Sequence, residues 1–431
     1  MGDRTEELSH AVASAVPPLT RRDLISSAVL TGVALLPSVA WGRTSPTIIK
    51  AYPEPVRLVD VDHQVVYRRE DEFCSWPHTM GFWDMGGGEL LQNFTSVKAN
   101  YSSAEAVSHD NVGSGGSSKM VAVRSKDYGR TWDGANPTIN MYNRLAKGSE
   151  NAKTLADLGA IDFRAPNVLL ENNTRGTFAS PQARSFIRVS RDRGHSWSPP
   201  FDLPLDGLNS LAGRESVLVR PDGTVLLFLM EVDEQGQNRH PLVYALPPDG
   251  TEFHFLSFVT PKVDPKGEAD GNYTGTLRFR GHRWFYPRGT LLPDGRILCV
   301  LRAQRDPRGI MWTEVYESED GGRTWNFLSR ANDFGAPGSL VRLPDGRLVM
   351  VYGYRLMPAG IRATVSEDGG RTWGRELIIR DDGGSWDVGY PNAWVTDDGK
   401  VGVLYYFNSK DDKVQANGGV RHICRSIFSV E

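Results

Sequence analysis

Beyond residue 40, short runs of alternating apolar and polar residues fill most of the chain, and each run is cut by a turn signal. Alternation of period two bounded by Gly, Asp and Pro reads as half-buried β-strand, not helix. Four pairs of runs share one layout: Val219–Leu227 around Pro221-Asp222-Gly223, Leu291–Val300 around Pro293-Asp294-Gly295, Leu340–Val351 around Pro344-Asp345-Gly346, and Val395–Tyr405 around Asp397-Asp398-Gly399. An Asp-Gly pair between two such runs is a strong hairpin signal. Weaker copies stand at Gly86-Gly87-Gly88, before Glu89-Leu90-Leu91, and at Asn173-Thr174-Arg175-Gly176, after Val168-Leu169-Leu170. Six hairpins are therefore expected.

A second repeat runs out of phase with the first. Ser-x-Asp-x-Gly-x-(Thr/Ser)-Trp occurs at Ser125–Trp132, Ser190–Trp197, Ser318–Trp325 and Ser366–Trp373. Its Asp can accept backbone N–H groups within its own turn, its Gly supplies positive φ, and its Trp plugs the turn against the sheet. These residues are expected to staple a hairpin, away from any ligand. A third copy is degenerate at Pro248-Asp249-Gly250-Thr251, and a sixth unit ends at Cys424–Val430. One Asp-Gly hairpin and one stapled hairpin per unit, six times over, predict an all-β fold: a six-bladed β-propeller of four-stranded sheets.

The first forty residues stand apart. Thr20-Arg21-Arg22-Asp23-Leu24-Ile25 opens an apolar stretch, Leu24 to Val39, that closes on Ser38-Val39-Ala40. Charged start, short apolar run and small-residue end read as a secretory signal, the paired arginines as the twin-arginine type. The expected organisation is residues 1–40 as signal peptide and 41–431 as one propeller domain, with no membrane span in the mature chain. Three cysteines, Cys74, Cys299 and Cys424, suit buried thiols better than a disulfide framework. A net charge of −3 without a basic block gives no case for nucleic acid. No nucleotide, haem or zinc motif occurs, so no cofactor or metal is expected, and a monomer is.

In a four-stranded meander the Asp-Gly turns and the stapled turns share one end of the blade. Ligand-binding loops then gather at the other, where the inner strands begin. Those starts carry a recurring Pro: Trp76-Pro77-His78, Arg164-Ala165-Pro166, Tyr286-Pro287-Arg288, Ala336-Pro337-Gly338 and Tyr390-Pro391-Asn392, with Arg214-Glu215-Ser216 in the third blade. The mouth is thus expected to present His78, Arg164, Arg214, Glu215, Tyr286, Arg288, Asp387 and Tyr390. Clustered arginines with Tyr and carboxylates suit an anionic ligand, because guanidinium pairs bidentately with carboxylate.

At these residues the chain resembles the sialidase superfamily, the Asp-box or BNR-repeat proteins, over nearly all its length after the signal. The stapled turns carry the likeness, together with Tyr352-Gly353-Tyr354-Arg355, Gly360-Ile361-Arg362-Ala363 and Asp387-Val388-Gly389-Tyr390-Pro391. The resemblance implies retaining hydrolysis of a terminal acidic sugar on a glycan, with Tyr390 as nucleophile and Glu215 as its activating base. It implies Arg164, Arg288 and Arg355 as carboxylate-binding residues, with Arg214 and Tyr286 beside them. Two departures stand out. Trp76-Pro77-His78 replaces the Arg-Ile-Pro expected in the first blade, and no acid Asp occupies its usual place, leaving Glu105, His109 or Asp110 to stand in. A polysaccharide lyase acting on a uronic acid, with His78 or Tyr390 as base, and a non-catalytic carbohydrate-binding propeller remain as alternatives.

Overall fold

The computed structural model describes residues 53–430 except 105, 108, 110–117, 141–154, 179, 235, 237, 263–282 and 305–309, and only the backbone of Asn140, Glu215 and Arg283. The expected export segment and the loop residues Glu105 and Asp110 lie outside the described residues. So does most of Met141–Leu158, whose apolar spacing suggests a helix; its described end, Leu155–Leu158, is one 3-10 turn.

Six blades of antiparallel strands form the propeller, and no α-helix occurs among the described residues. Blade three shows the unit in full: Ala212–Val219, Val225–Val232, Arg239–Leu246 and His254–Phe258, each paired with the next. Its second strand is buried at every position, as are Leu348–Tyr354 in blade five and Val401–Phe407 in blade six. A strand covered on both faces by neighbouring blades has no polar side to show, hence its near-continuous apolar run. Burying each such Leu, Val or Phe contributes about 1.5–3 kcal/mol. The core is therefore spread round the ring in layers between blades.

Blade six closes the ring. Its strands Gly389–Val395, Val401–Phe407 and His422–Phe428 are completed by Asp62–Tyr67 from the other end of the chain, with Asp62 opposite Ile427 and Tyr67 opposite Ile423. The three cysteines are buried and free. Among the described residues no helix is long and apolar enough to cross a membrane.

All four stapled turns adopt one geometry. In the copy at Ser366, Gly370 N–H donates to Ser366 Oγ (2.8 Å) and Thr372 N–H to Asp368 Oδ1 (2.9 Å). The copies at Ser125, Ser190 and Ser318 repeat these bonds.

Blade two corrects the sequence reading. Asn173-Thr174-Arg175 is not a turn but the end of a strand, Leu169–Arg175, that pairs with Arg184–Ser190. The stapled-turn residue Arg193 donates its N–H to Asn167 O just before that strand, as Tyr128 donates to Gly88 O before the second strand of blade one. Leu169–Arg175 is thus a second strand, and Ala165-Pro166-Asn167 sits at the turn end of the blade instead of at the pocket end.

Candidate active site

Three inner strands enter from the pocket end through the same irregularity, an aromatic residue followed by Pro. Trp76, Tyr286 and Tyr390 have φ of 58°, 55° and 51°. The ladder slips between Phe285 and Arg288 and between Gly389 and Asn392. A bulky residue with positive φ costs on the order of 1 kcal/mol or more and persists only where its surroundings hold it. Here the rings do: Tyr390 packs edge-on against Tyr286 (5.4 Å between centroids) and Tyr406 (5.8 Å), and Phe178 stacks on Tyr286 (5.7 Å). The bulges re-aim the side chains, so that hydroxyls from blades four and six meet at 3.0 Å.

Arginines surround this tyrosine pair. Arg302, near the end of the second strand of blade four, donates from Nη1 to Tyr390 Oη at 3.0 Å. Arg355, just past the end of the second strand of blade five, lies over the rings of Tyr390 (5.3 Å) and Trp386 (5.2 Å). Arg214 lies over Phe178 (4.1 Å) and donates to Asn173 Oδ1 (3.3 Å). Burial alone would raise the Tyr390 phenol, but Arg302, Arg355 and His109 outweigh it and bring it below the ordinary tyrosine value. Tyr286 moves the other way, through burial and the nearby Tyr390 charge. Tyr286 therefore keeps its proton and donates it, and the Tyr390 oxygen accepts two hydrogen bonds, the arrangement that stabilises a phenolate.

Asp387, in the connection from blade five to blade six, anchors the opposite wall. Its Oδ1 accepts from Tyr406 Oη and lies 2.8 Å from His109 Nδ1, while Arg421 Nε stands 3.4 Å from Oδ2 as an ion pair without an aligned hydrogen bond. Burial would raise this carboxyl, yet His109, Arg421 and Arg355 hold it well below the usual range. Burial would lower the His109 imidazole, and Asp387 overrides that and raises it.

The other expected site residues divide. Tyr390, Tyr286, Arg214, Arg355 and Asp387 are brought together. Arg288 is at the same end but acts as a tie between blades: Nη1 donates to Asn392 Oδ1 (2.5 Å) and Nη2 to the His78 carbonyl (2.6 Å). His78 is fully buried, with Nδ1 2.7 Å from the Pro391 carbonyl, and burial followed by the Arg288 charge keeps it neutral. It spans blades one and six, which argues against a base in contact with substrate. Arg164 is a correction: it is exposed, pairs with Asp162 (2.8 Å), and borders a cavity with the Asp222-Gly223 turn and Asp249. That is the turn end, so Arg164 does not reach the cluster. For Glu215 the structure gives the backbone alone, within the strand whose ladder slips between Gly213 and Val217.

Arg302, Tyr406 and His109's position against Asp387 went unread in the sequence. A signal existed for the first two. Each follows its turn glycine, Gly295 or Gly399, by seven positions, and so arrives at the pocket end of its second strand. Among the described residues no group of His, Cys, Asp or Glu is arranged to hold a metal ion.

No curated protein matches the chain. Among solved structures it is similar to a protein of unknown function from Dyadobacter fermentans, at 22% identity and a TM-score of 0.63, over 86% of this chain and 99% of that one. It is also similar to Trypanosoma rangeli sialidase, at 15% identity and TM-score 0.50, over 86% of this chain and 60% of the other. An alpha-L-arabinanase from Penicillium chrysogenum, complexed with arabinobiose, matches at 12% identity and TM-score 0.51, over 85% and 97%. At such identities the likeness is one of fold. The profile of the BNR repeat-like domain matches residues 171–403, which takes in three of the four stapled turns and the arginines Arg214, Arg302 and Arg355 around the tyrosine pair. Since that span is more than half of the sequence, the chain belongs to the BNR repeat-like domain family.

Proposed function

We propose that the protein is an exo-acting glycoside hydrolase that releases a terminal acidic sugar from a glycan with retention, Tyr390 being the nucleophile. The observation that carries this reading is the buried Tyr390 oxygen, which accepts from Arg302 and from Tyr286, each at 3.0 Å. A neutral phenol approaches an anomeric carbon beside a carboxylate with less repulsion than a carboxylate would meet, and the Arg302 guanidinium lowers the cost of ionising it as it attacks. Glycosidases with a Tyr nucleophile are a recognised exception to paired carboxylates. Arg214, Arg302 and Arg355 supply positive charge for the sugar's carboxylate, and Glu215, on the blade-three bulge, is the proposed acceptor of the phenol's proton. The fold is shared by a sialidase and an arabinanase, so the preference for an acidic sugar rests on the arginines.

The test is a screen of purified protein against aryl glycosides of sialic acids, uronic acids and neutral sugars, followed by a fluorinated mechanism-based analogue of the cleaved sugar. Mass spectrometry should find the label on Tyr390; a label elsewhere removes Tyr390 from the role. An unsaturated, ultraviolet-absorbing product would instead establish the lyase reading, with Tyr390 as base in place of the tied His78. Binding without turnover of any acidic glycan would establish the binding propeller. Export by the twin-arginine route belongs to the same proposal: replacing Arg21 and Arg22 with Lys should leave precursor in the cytoplasm, and normal processing of that variant would refute it.

A further inference from the structure

The pocket holds a second group that no comparison assigns, and it rests on the hydrolase reading above. We propose that His109, oriented by Asp387, is the general acid and base of the reaction. It comes from the loop between the second and third strands of blade one, at the pocket end. Its ring lies between Trp76 (5.4 Å between centroids) and Trp386 (5.5 Å), and Nδ1 is fixed 2.8 Å from Asp387 Oδ1. A carboxylate that accepts the Nδ1 proton sets the tautomer and leaves Nε2 for chemistry. Among the described residues Nε2 makes no hydrogen bond, and the side chain is 24% exposed while Asp387 is 1% exposed. The charged and titratable groups facing His109 are Asp387, Tyr390 and Arg355, and Asp387 in turn faces Tyr406 and Arg421. His109 and Tyr390 interact electrostatically, each favouring the other's charged form, so a protonated His109 eases ionisation of the Tyr390 phenol as it attacks.

The steps balance. With its own proton passed to Glu215, the Tyr390 oxygen forms a bond to the anomeric carbon as the glycosidic C–O bond breaks, and the leaving oxygen takes the proton from His109 Nε2. Water then attacks the same carbon, His109 recovers a proton from it, the bond to Tyr390 breaks, and Glu215 returns the phenol's proton. One water is consumed, and the enzyme ends as it began. Trp76 and Trp386 flank the proton donor, so they border the leaving group and suit a ring-shaped one, since apolar sugar faces stack on aromatic rings.

An acid catalyst matters in proportion to how badly the leaving group needs its proton. The experiment compares alkyl and 4-nitrophenyl glycosides of N-acetylneuraminic acid, or of glucuronic acid where that is what the wild type cleaves. General acid–base groups contribute roughly 10²–10⁴-fold. His109→Gln should therefore lose about 100-fold or more in kcat/KM on the alkyl glycoside and less than about 10-fold on the nitrophenyl one, with the alkaline limb of the pH profile gone. His109→Ala should behave alike, and Tyr390→Phe should lose both substrates together. Equal losses on the two substrates, or none, with wild-type thermal stability, overturn the assignment while leaving Tyr390 in place. A wild type that cleaves neither class overturns the hydrolase reading, and this one with it.

Discussion

The two ends of the propeller are built from the same repeat and behave in opposite ways. At the turn end, four copies of one motif place the same Ser, Asp, Gly and Trp in the same geometry, each Ser bonded to the Asp of its own turn. At the pocket end, equivalent positions hold different residues. The bulge carries Trp76, Tyr286 or Tyr390, and the seventh position after the turn glycine is Arg302 in blade four but Tyr406 in blade six. Sameness is what a ring of interchangeable units needs, because each turn solves one local backbone problem. Chemistry needs different groups converging on one point, so it appears where the repeat is broken. The pocket hydrogen bonds accordingly join residues far apart in sequence, Tyr286 to Tyr390 and His109 to Asp387, while the bonds to the Ser and Asp that shape a stapled turn stay within four residues.

The largest expected effect breaks the pocket side of this comparison at its centre. Tyr390→Phe keeps the ring, its packing and its backbone, and removes only the oxygen. Since the neighbouring Tyr286 hydroxyl is held in its protonated form and is a poor substitute nucleophile, kcat should fall by about 10³-fold or more, some 4 kcal/mol of barrier, with thermal stability near wild type. Retention of most activity would leave Tyr390 a packing residue.

Arg302→Met is next. Removing a guanidinium from a buried charge contact costs about 2–5 kcal/mol, hence roughly 30-fold or more in kcat/KM. It also has a signed signature. Arg302 helps hold the Tyr390 phenol below its ordinary value, so without it ionisation needs higher pH and the rising limb of kcat/KM should move to alkaline. A lower kcat/KM with an unmoved limb would assign Arg302 to substrate binding alone.

How much of this was legible follows from the same contrast. The blades were readable because Asp-Gly turns and stapled turns are local, and Pro293-Asp294-Gly295 specifies its hairpin without help from the rest of the chain. Blade two misled because Asn173-Thr174-Arg175 has turn composition, yet Asn173 and Thr174 face the neighbouring blade, where Thr174 Oγ1 donates to Gly213 O and Asn173 Oδ1 accepts from Arg214. Tertiary partners overrode local preference, and Arg164 was misplaced with the strand. Closure of blade six by Asp62–Tyr67 carries no local signal, since its register is set only by the strand it meets. The roles of the arginines were hidden for a related reason. Arg288 and Arg302 lie on paired strands of one blade, and only the partners across the axis tell a tie from a ligand group.

Arg288→Ala sharpens that distinction. The truncation leaves Asn392 Oδ1 and the His78 carbonyl without their donor, at about 1–3 kcal/mol. The melting temperature should fall, with KM of the folded variant within a few-fold of wild type. A stable variant with KM raised tenfold would return Arg288 to the substrate.

The smallest effect tests the turn end. In the last stapled turn Asp368 accepts from the N–H groups of Arg371 and Thr372 and from the Thr372 hydroxyl. Burial would raise its carboxyl, but the bonds from Thr372 and Ser366 outweigh it and bring it down to about 2. The folded value is depressed, so the stabilisation is complete above the unfolded aspartate value, near 4, and is lost as pH falls through about 2. Because the residue is exposed, solvent competes for these groups, and Asp368→Ala should cost only about 1 kcal/mol near neutral pH. Melting curves of the variant and wild type should converge as the solution is acidified through that window, and kcat should be unchanged throughout, since the turn lies at the end of the blade away from Tyr390. If kcat falls selectively while the melting temperature holds, the two ends are not the separate regions described here, and the stapled turns contribute to the site as well as to the ring.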